Sequence, residues 1–204
     1  TIIYGGFNGT ETTADERNWF NNPTILSGDL NNNNNTDAGD AHTIVTLLSN
    51  NSTISGFVFE NAFADGAENT PDAIGRTGAG IYNTGNNNIT NCVFKNLNAA
   101  GNGSTGVGGA IISFSGNLTI TNSLFYNNIA SGNGGAISIE GGTVNLINAT
   151  LANNTAKFDN GDHFFNGSLV AVNSIFTNNS GTNGNINNAS GAGTGSVSYS
   201  LFFN

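Results

Sequence analysis

Apolar and polar positions repeat along this chain in a fixed relationship, with one apolar residue followed two positions later by asparagine. The pairs are Phe59/Asn61, Phe94/Asn96, Phe125/Asn127, Leu151/Asn153, Phe176/Asn178 and Phe202/Asn204. Successive apolar members, which we call the anchors, lie 35, 31, 26, 25 and 26 residues apart. A period of this length is typical of solenoids, in which each repeat stacks on the next, and the longer early steps indicate loop insertions.

Two further columns keep a constant offset from these anchors. Five residues before them stand Ile54, Ile89, Ile120, Leu146, Ala171 and Val197, and two residues before them stand Phe57, Cys92, Ser123, Ala149, Ser174 and Ser200. Alternation with a period of two indicates a strand with one buried face. Equivalent residues of neighbouring repeats would then stack at about 4.8 Å, so we expect the phenylalanine anchors to pile along one axis.

A second asparagine column stands three residues before the anchors, at Asn91, Asn122, Asn148 and Asn173. Asparagine tolerates backbone angles that most residues avoid, and its amide can donate to one neighbour and accept from another. We therefore predict two asparagine ladders, one in each column, at the corners between strands.

Glycine-rich segments lead into another strand of three repeats. They are Gly78-Ala79-Gly80-Ile81, Gly108-Gly109-Ala110-Ile111 and Gly134-Gly135-Ala136-Ile137. Glycine permits a sharp corner, and three strands per repeat joined in one rotational sense make parallel sheets with right-handed crossovers. The pattern thus predicts an all-β, right-handed parallel β-helix of about seven to eight rungs, or roughly 35 to 40 Å of rod.

We expect residues 1–204 to form one β-helix segment. Residues 1–50 would supply the amino-terminal rungs with an Asn/Asp-rich loop, and residues 51–204 the regular rungs. Strand-like sequence stands at both ends, from Thr1 to Tyr4 and from Leu201 to Asn204. This favours a fragment of a longer surface protein, with its flanking domains elsewhere.

Composition removes several other protein classes. The chain has 40 Asn and 29 Gly, only 8% charged residues and a net charge of −9. Such a chain is unsuited to coiled coils and would repel nucleic acid and anionic lipid. Its 37% hydrophobic residues, with 14 Phe at regular positions, favour a packed core over disorder. No segment approaches the ~20 apolar residues that span a bilayer.

The paired Gly-Gly-Ala-Ile and Phe-x-x-Asn motifs resemble the repeats of the polymorphic outer-membrane proteins, whose passenger domains are β-helical adhesins. Phe125-Tyr126-Asn127-Asn128 and Phe176-Thr177-Asn178-Asn179 match best. The segment from Tyr4 to Thr12, with Arg17-Asn18-Trp19 and the stretch from Asn22 to Asp29, looks like large β-helix surface proteins of Bacteroidetes-type bacteria. These resemblances imply a secreted or outer-surface location.

The leading hypothesis is a non-catalytic stalk or adhesin that contacts an extracellular glycan or protein surface. One alternative is a subunit that pairs with copies of itself in a filament or surface lattice. A second is a polysaccharide lyase, although the four cations Arg17, Arg76, Lys95 and Lys157 lie in different loops or rungs. Insertions at 62–77, 97–106 and 180–193 are where an adhesin would vary its contacts.

Candidate sites are few, and we predict no catalytic residue and no cofactor other than a possible calcium ion. Asp29, Asp37 and Asp40 flank a run of five asparagines, and such an oxygen-rich loop suits calcium. Other residues have plainer interpretations. His42 and His163 are too isolated for zinc, Cys92 fits a small buried side chain, and Tyr4, Trp19 and Phe20 suit cap packing more than carbohydrate stacking.

Overall fold

The computed structural model describes residues 1–66, 74–101, 105–157, 162–164, 167–181, 186–188 and 194–203, with the backbone alone at 162–164 and 186–188. Apart from one 3-10 turn at Ala14–Glu16, the regular elements of these residues are short β-strands, every one of them paired in parallel. The predicted all-β parallel β-helix is therefore confirmed.

The strands recur at short intervals along the chain. The first twelve are β1 (Ile2–Tyr4), β2 (Thr24–Ser27), β3 (Val45–Leu47), β4 (Thr53–Ser55), β5 (Phe57–Glu60), β6 (Ile81–Asn83), β7 (Asn87–Thr90), β8 (Val93–Lys95), β9 (Asn98–Ala99), β10 (Ile111–Ser113), β11 (Asn117–Thr121) and β12 (Leu124–Tyr126). The others are β13 (Ile129–Ala130), β14 (Ile137–Ile139), β15 (Thr143–Ile147), β16 (Thr150–Ala152), β17 (Thr155–Ala156), β18 (Asp162–Phe164), β19 (Ser168–Val172), β20 (Ile175–Thr177), β21 (Ile186–Asn188), β22 (Thr194–Ser198) and β23 (Leu201–Phe203).

These strands form four sheets that the chain visits in rotation. Sheet I contains β1, β4, β7, β11, β15, β19 and β22; sheet II contains β2, β5, β8, β12, β16, β20 and β23; sheet III contains β9, β13 and β17; sheet IV contains β3, β6, β10, β14, β18 and β21. Sheet III, whose strands have two residues each, was not predicted, because so short a strand shows no alternation. The number of rungs and the length of the rod stay predictions.

The core is a set of side-chain stacks that run along the rod. Phe94 lies between Phe59 and Phe125, with ring centroids 4.7 Å apart on both sides and planes within 6° of parallel. Phe176 stacks on Phe202 at 5.0 Å. The two offset columns are also buried, except in the last rung, where Val197 is exposed and Ser200 is partly exposed. The predicted stacked core is confirmed.

Both predicted asparagine columns occupy corners with left-handed backbone. The described members, which have φ between 50° and 56°, are Asn61, Asn91, Asn96, Asn122, Asn127, Asn148, Asn153, Asn173 and Asn178. Asn204 lies outside the described residues. The first glycines of the three Gly-rich segments also have positive φ, and a Cβ added at Gly108 would lie 2.2 Å from the Ile111 carbonyl oxygen. Both corner predictions are confirmed.

The prediction of a side-chain ladder at 127 and 153 was wrong. Asn127 and Asn153 are exposed, and the structure assigns them no side-chain hydrogen bond within the described residues. The buried ladder belongs to the next residue of three successive repeats: Asn128 Nδ2 donates to Asn154 Oδ1, and Asn154 Nδ2 donates to Asn179 Oδ1, each at 2.9 Å. The left-handed corner interrupts the strand alternation, so the residue after it points inward.

Candidate binding groove

The corner between sheets I and II carries the other asparagine column on its outside. The Nδ2 atoms of Asn122, Asn148 and Asn173 each donate to the Oδ1 of the asparagine one rung before, at 3.3, 3.0 and 2.6 Å. Asn91 accepts the first of these bonds. The bonding follows from the corner itself, because four identical left-handed backbones place four identical amides one above another. This ladder was predicted and is confirmed.

The ladder leaves part of each amide unused. A carboxamide has two N–H donors and an oxygen with two lone pairs. Asn122 and Asn148 each spend one N–H and one lone pair on the ladder, and the side chains are exposed. Each therefore presents one donor and one acceptor to solvent or to a ligand, repeated at the rung spacing of about 4.8 Å.

An aliphatic row runs beside the amides. Near the start of six strands of sheet II, from β5 to β23, one outward-facing residue is in register with its equivalents in the neighbouring rungs. These residues are Val58, Val93, Leu124, Thr150, Ile175 and Leu201. They are partly exposed, and Leu201 reaches 54%. A polar row and a mostly apolar row thus lie side by side along the rod axis.

Together these rows line a shallow depression that we call the corner groove. Its wider section has a volume of about 530 Å³ and is lined by Trp19, Phe20, Pro23, Gly56, Phe57, Val58, Asn91, Cys92, Val93, Asn122, Ser123, Leu124, Asn148 and Thr150. It continues past Asn148 into a section of about 280 Å³ bounded by Asn173, Ile175, Tyr199 and Leu201. None of the described lining residues in either section is acidic, basic or histidine.

Trp19 and Phe20 close one end of the groove. Phe20 is 87% exposed and Trp19 is 41% exposed. The Arg17 guanidinium contacts both aromatic rings near this end: its Cζ lies 5.3 Å from the centroid of the Trp19 ring and 4.2 Å from the centroid of the Tyr4 ring. Arg17 also donates from Nη1 and Nη2 to Ser55 Oγ at 3.1 and 3.0 Å.

Gly56 allows the tryptophan to approach the corner. It stands where later repeats have the ladder asparagine, with φ 81°. A Cβ at this position would lie 2.8 Å from the Gly5 carbonyl oxygen and 3.1 Å from Trp19 Cβ. The first ladder position is therefore glycine, and the indole occupies the space next to it.

Tyr199 closes the other end, at the last ladder position described. It is 89% exposed and has φ 49°, the only non-glycine residue with positive φ among the described residues that is not asparagine. A bulky side chain in this region is an outlier that costs on the order of 1–3 kcal/mol and often marks a functional position.

The sequence indicated only part of this groove. The ladder was predicted, and Trp19, Phe20 and Tyr4 were singled out, although cap packing was the favoured interpretation of these three. In the structure Trp19 and Phe20 line the groove, whereas Tyr4 packs on Arg17. It missed Tyr199. The alignment of Tyr199-Ser200-Leu201-Phe202 with Asn173-Ser174-Ile175-Phe176 was a signal that could have found it.

The predicted calcium loop is held by its own hydrogen bonds. Asp29 accepts from the backbone N–H groups of Asn33 and Asn34, at 3.2 and 2.8 Å. Asp37 accepts from the side-chain amides of Asn31 and Asn33. Asp40 is buried; its Oδ2 accepts from the Asp37 N–H at 3.0 Å, and its Oδ1 has no hydrogen-bond partner in the described part of the chain. No group of three or more His, Cys, Asp or Glu residues suited to a metal ion occurs within the described residues. Calcium binding by Asp29, Asp37 and Asp40 stays a prediction.

The other singled-out groups have local partners. His42 Nε2 lies 3.1 Å from Asp65 Oδ1, and the side chain of His163 lies outside the described residues. Lys95 Nζ lies 2.7 Å from Glu60 Oε2, and this hydrogen bond raises the pKa of the lysine. Cys92 is buried, and removal from solvent raises the pKa of its thiol from 9.0 to about 11. The expected small buried side chain is confirmed.

Parts of all three predicted recognition insertions, at 67–73, 102–104 and 182–185 with 189–193, lie outside the described residues. Within the described part of the chain, no helix is long and apolar enough to cross a bilayer. Comparison with known proteins gave no match to a family model, to a curated protein or to a solved structure.

Proposed function

We propose that this chain is a non-catalytic, extracellular stalk and adhesive segment of a bacterial surface protein, and that the corner groove is its contact surface. The observation that carries this proposal is the pairing of a stiff stacked core with a continuous outer groove. The groove joins a hydrogen-bonded amide ladder, an aliphatic row and exposed aromatic residues at both ends.

The stacked core supports the stalk part of the proposal. Parallel strands one rung apart bond to each other, and the stacked phenylalanine rings leave little room for neighbouring rungs to slide. Such a rod keeps its outer rows in register over its length. A groove built on it presents evenly spaced groups without an ordering cost when a ligand binds.

The exposed rows support the adhesive part. Amides that already bond to one another are held in one orientation, and the exposed Asn122 and Asn148 each keep one donor and one acceptor for a ligand. Exposed aromatic rings supply large contact areas with few rotatable bonds, as they do in many recognition surfaces. The surface location is supported by the resemblance to β-helical surface proteins.

Binding to immobilised glycans and matrix proteins tests the proposal. Fluorescently labelled protein should bind at least one class of spot at micromolar concentration, and the heat-unfolded protein at the same concentration serves as the control. If the folded protein binds neither the glycan array nor the matrix-protein array, or if the unfolded chain binds equally well, the adhesive role is refuted.

The same preparation separates this proposal from the two other hypotheses. Filaments or sheets in electron micrographs of the purified protein would favour self-assembly through the strand edges. Unsaturated uronate released from pectin, alginate or glycosaminoglycans would favour a lyase. We expect discrete particles and no release of uronate.

A further inference from the structure

We infer that the corner groove binds an uncharged glycan chain that lies along the rod axis, between Trp19 and Phe20 at one end and Tyr199 at the other. This inference rests on the proposed adhesive function and names the chemistry of its ligand. Three features of the groove carry it: the pairing of donors and acceptors, the lack of charge, and the direction of the rows.

The free groups of the ladder match sugar hydroxyls. The two inner amides, Asn122 and Asn148, each have one N–H and one oxygen lone pair left over, and this pair repeats in two successive rungs. A hydroxyl group both donates and accepts, so one hydroxyl can accept from the free N–H and donate to the free lone pair of the same amide. The aliphatic row beside the ladder suits the C–H faces of a sugar ring, whose edges are polar and whose faces are apolar.

The charge of the groove favours a neutral chain. Its described lining consists of amide, hydroxyl, thiol, aliphatic and aromatic side chains with glycine and proline. The whole protein has a net charge of −9. A polyanionic glycan would meet no cation among these lining residues and would be repelled by the surrounding field. A cationic ligand would find no carboxylate among them.

The direction of the groove disfavours a peptide. An extended peptide that binds by strand addition pairs with a sheet edge and therefore runs along the direction of the strands. The amide row crosses the strands at right angles, because each of its members comes from a different rung. From Gly56 to Tyr199 the row covers five rung spacings, or roughly 24 Å. An oligosaccharide of several sugar units is long enough to span this distance.

The ends of the row provide an independent observation. Tyr199 keeps an exposed aromatic ring at the cost of a strained backbone, in a column where asparagine fits without strain. At the opposite end, Gly56 makes space for Trp19. Both departures from the repeat put an aromatic ring at an end of the ladder, as platforms for terminal sugar units would require.

Tryptophan fluorescence measures binding directly, because Trp19 is the only tryptophan of the chain and lines the groove. The probes are cellohexaose, mannohexaose and chitohexaose as neutral chains, with hexagalacturonate as the acidic chain. At least one neutral hexasaccharide should change the emission of Trp19 in a saturable way. The acidic chain should bind at least tenfold more weakly.

Variants then locate the ligand. Tyr199→Asn restores the repeat residue, so it should raise the melting temperature by about 3 °C while weakening binding about tenfold. The double variant Asn122→Gly with Asn148→Gly removes two ladder amides but keeps residues that tolerate positive φ, and should also bind about tenfold more weakly. Asn127→Gly with Asn153→Gly makes the same change at the opposite corner and should leave affinity unchanged.

Each alternative result has a definite meaning. If no neutral hexasaccharide binds, if hexagalacturonate binds as well as the neutral chains, or if the 127/153 control loses as much affinity as the 122/148 variant, the glycan inference is wrong. Binding of a protein on the arrays would then leave the adhesive proposal standing. Arrays without any binding would overturn the proposal and the inference together.

Discussion

Single residues explain the unusual composition of this protein. Among the described residues, positive φ occurs at glycines, at twelve asparagines and at Tyr199. Asparagine enters the left-handed region more readily than most other residues with a Cβ, and four successive rungs have it at two corners. Part of the asparagine content is therefore a consequence of corner geometry repeated along a rod. Asparagines outside the left-handed positions, Asn128, Asn154 and Asn179, form the buried ladder.

Cys92 shows how a column position sets the chemistry of a side chain. Its thiol lies in the inward column that contains Ser123 and Ala149, and Sγ contacts the Thr90 carbonyl oxygen at 3.3 Å. Burial raises its pKa to about 11, so the thiol stays protonated and unreactive near neutral pH. The residue fills space in the core.

We predict that this thiol makes the protein less stable in alkaline solution. Between pH 9.0 and about 11 the unfolded chain loses the Cys92 proton and the folded chain keeps it, so the free energy of unfolding falls as pH rises through this window. The total loss should be on the order of 2 kcal/mol. Urea unfolding from pH 8 to 11 measures it.

Cys92→Ser is the matched control, because serine occupies this column at Ser123 and Ser174. The variant should keep the fold and lose this component of the pH dependence, and the difference between the two proteins removes the titration of tyrosines and lysines. Parallel stability curves for the two proteins between pH 9 and 11 would contradict the prediction.

At the scale of elements, the corner after sheet II decides which asparagine is buried. Continued strand alternation would put Asn127 and Asn153 inside, but their left-handed backbone interrupts the alternation and turns these two side chains outward. Asn128 and Asn154 therefore point inward. The Asn154 amide bonds to the Phe125 carbonyl, to Asn179 Oδ1 and to both the backbone N–H and the Nδ2 of Asn128.

We predict that the adjacent residues Asn153 and Asn154 differ sharply in their effect on stability. Asn154→Ala removes four buried side-chain hydrogen bonds and should lower the free energy of unfolding by about 3 kcal/mol or more. Asn153→Ala should lower the free energy of unfolding by about 1 kcal/mol, because its only effect is to place alanine, which tolerates positive φ less well than asparagine, at this corner. Urea titration followed by circular dichroism measures both, and equal losses would show that the inner ladder contributes little.

The whole molecule is a one-dimensional stack in which each rung completes the core of its neighbours. Phe125 is packed between Phe94 of the preceding rung and Leu151 of the following rung, which lie in register with it on either side. Stability in such a protein is close to a sum of rung and interface contributions. The groove depends on the stacking of rungs, because each ladder amide that lines it comes from a different turn of the chain.

We predict that a whole rung can be removed without loss of the fold. Deletion of residues 127–152 joins Tyr126 to Asn153, the residue equivalent to Asn127, so every column should stay in register. The product should keep its β-sheet spectrum and shorten by roughly 5 Å in small-angle X-ray scattering. Deletion of residues 127–139 removes half a rung and should abolish cooperative unfolding, because inward and outward columns no longer align.

A result in which both deletion proteins unfold cooperatively, or neither does, would contradict additive stacking. The half-rung deletion is the informative control, because it removes fewer residues than the whole-rung deletion and yet should damage the protein more. The free energy of unfolding of the whole-rung variant also gives the contribution of one rung.

The sequence by itself determined the period, the phenylalanine stack, the inward columns and the corners, because these depend on residue type at constant spacing. It also placed the outer ladder. The tertiary structure decided what depends on backbone direction at a corner and on contact between distant segments: the burial of Asn154 in place of Asn153, the narrow sheet III, and the position of Trp19 beside Gly56. The amphipathic groove belongs to this second group, because its two rows form only when successive turns of the chain lie over one another.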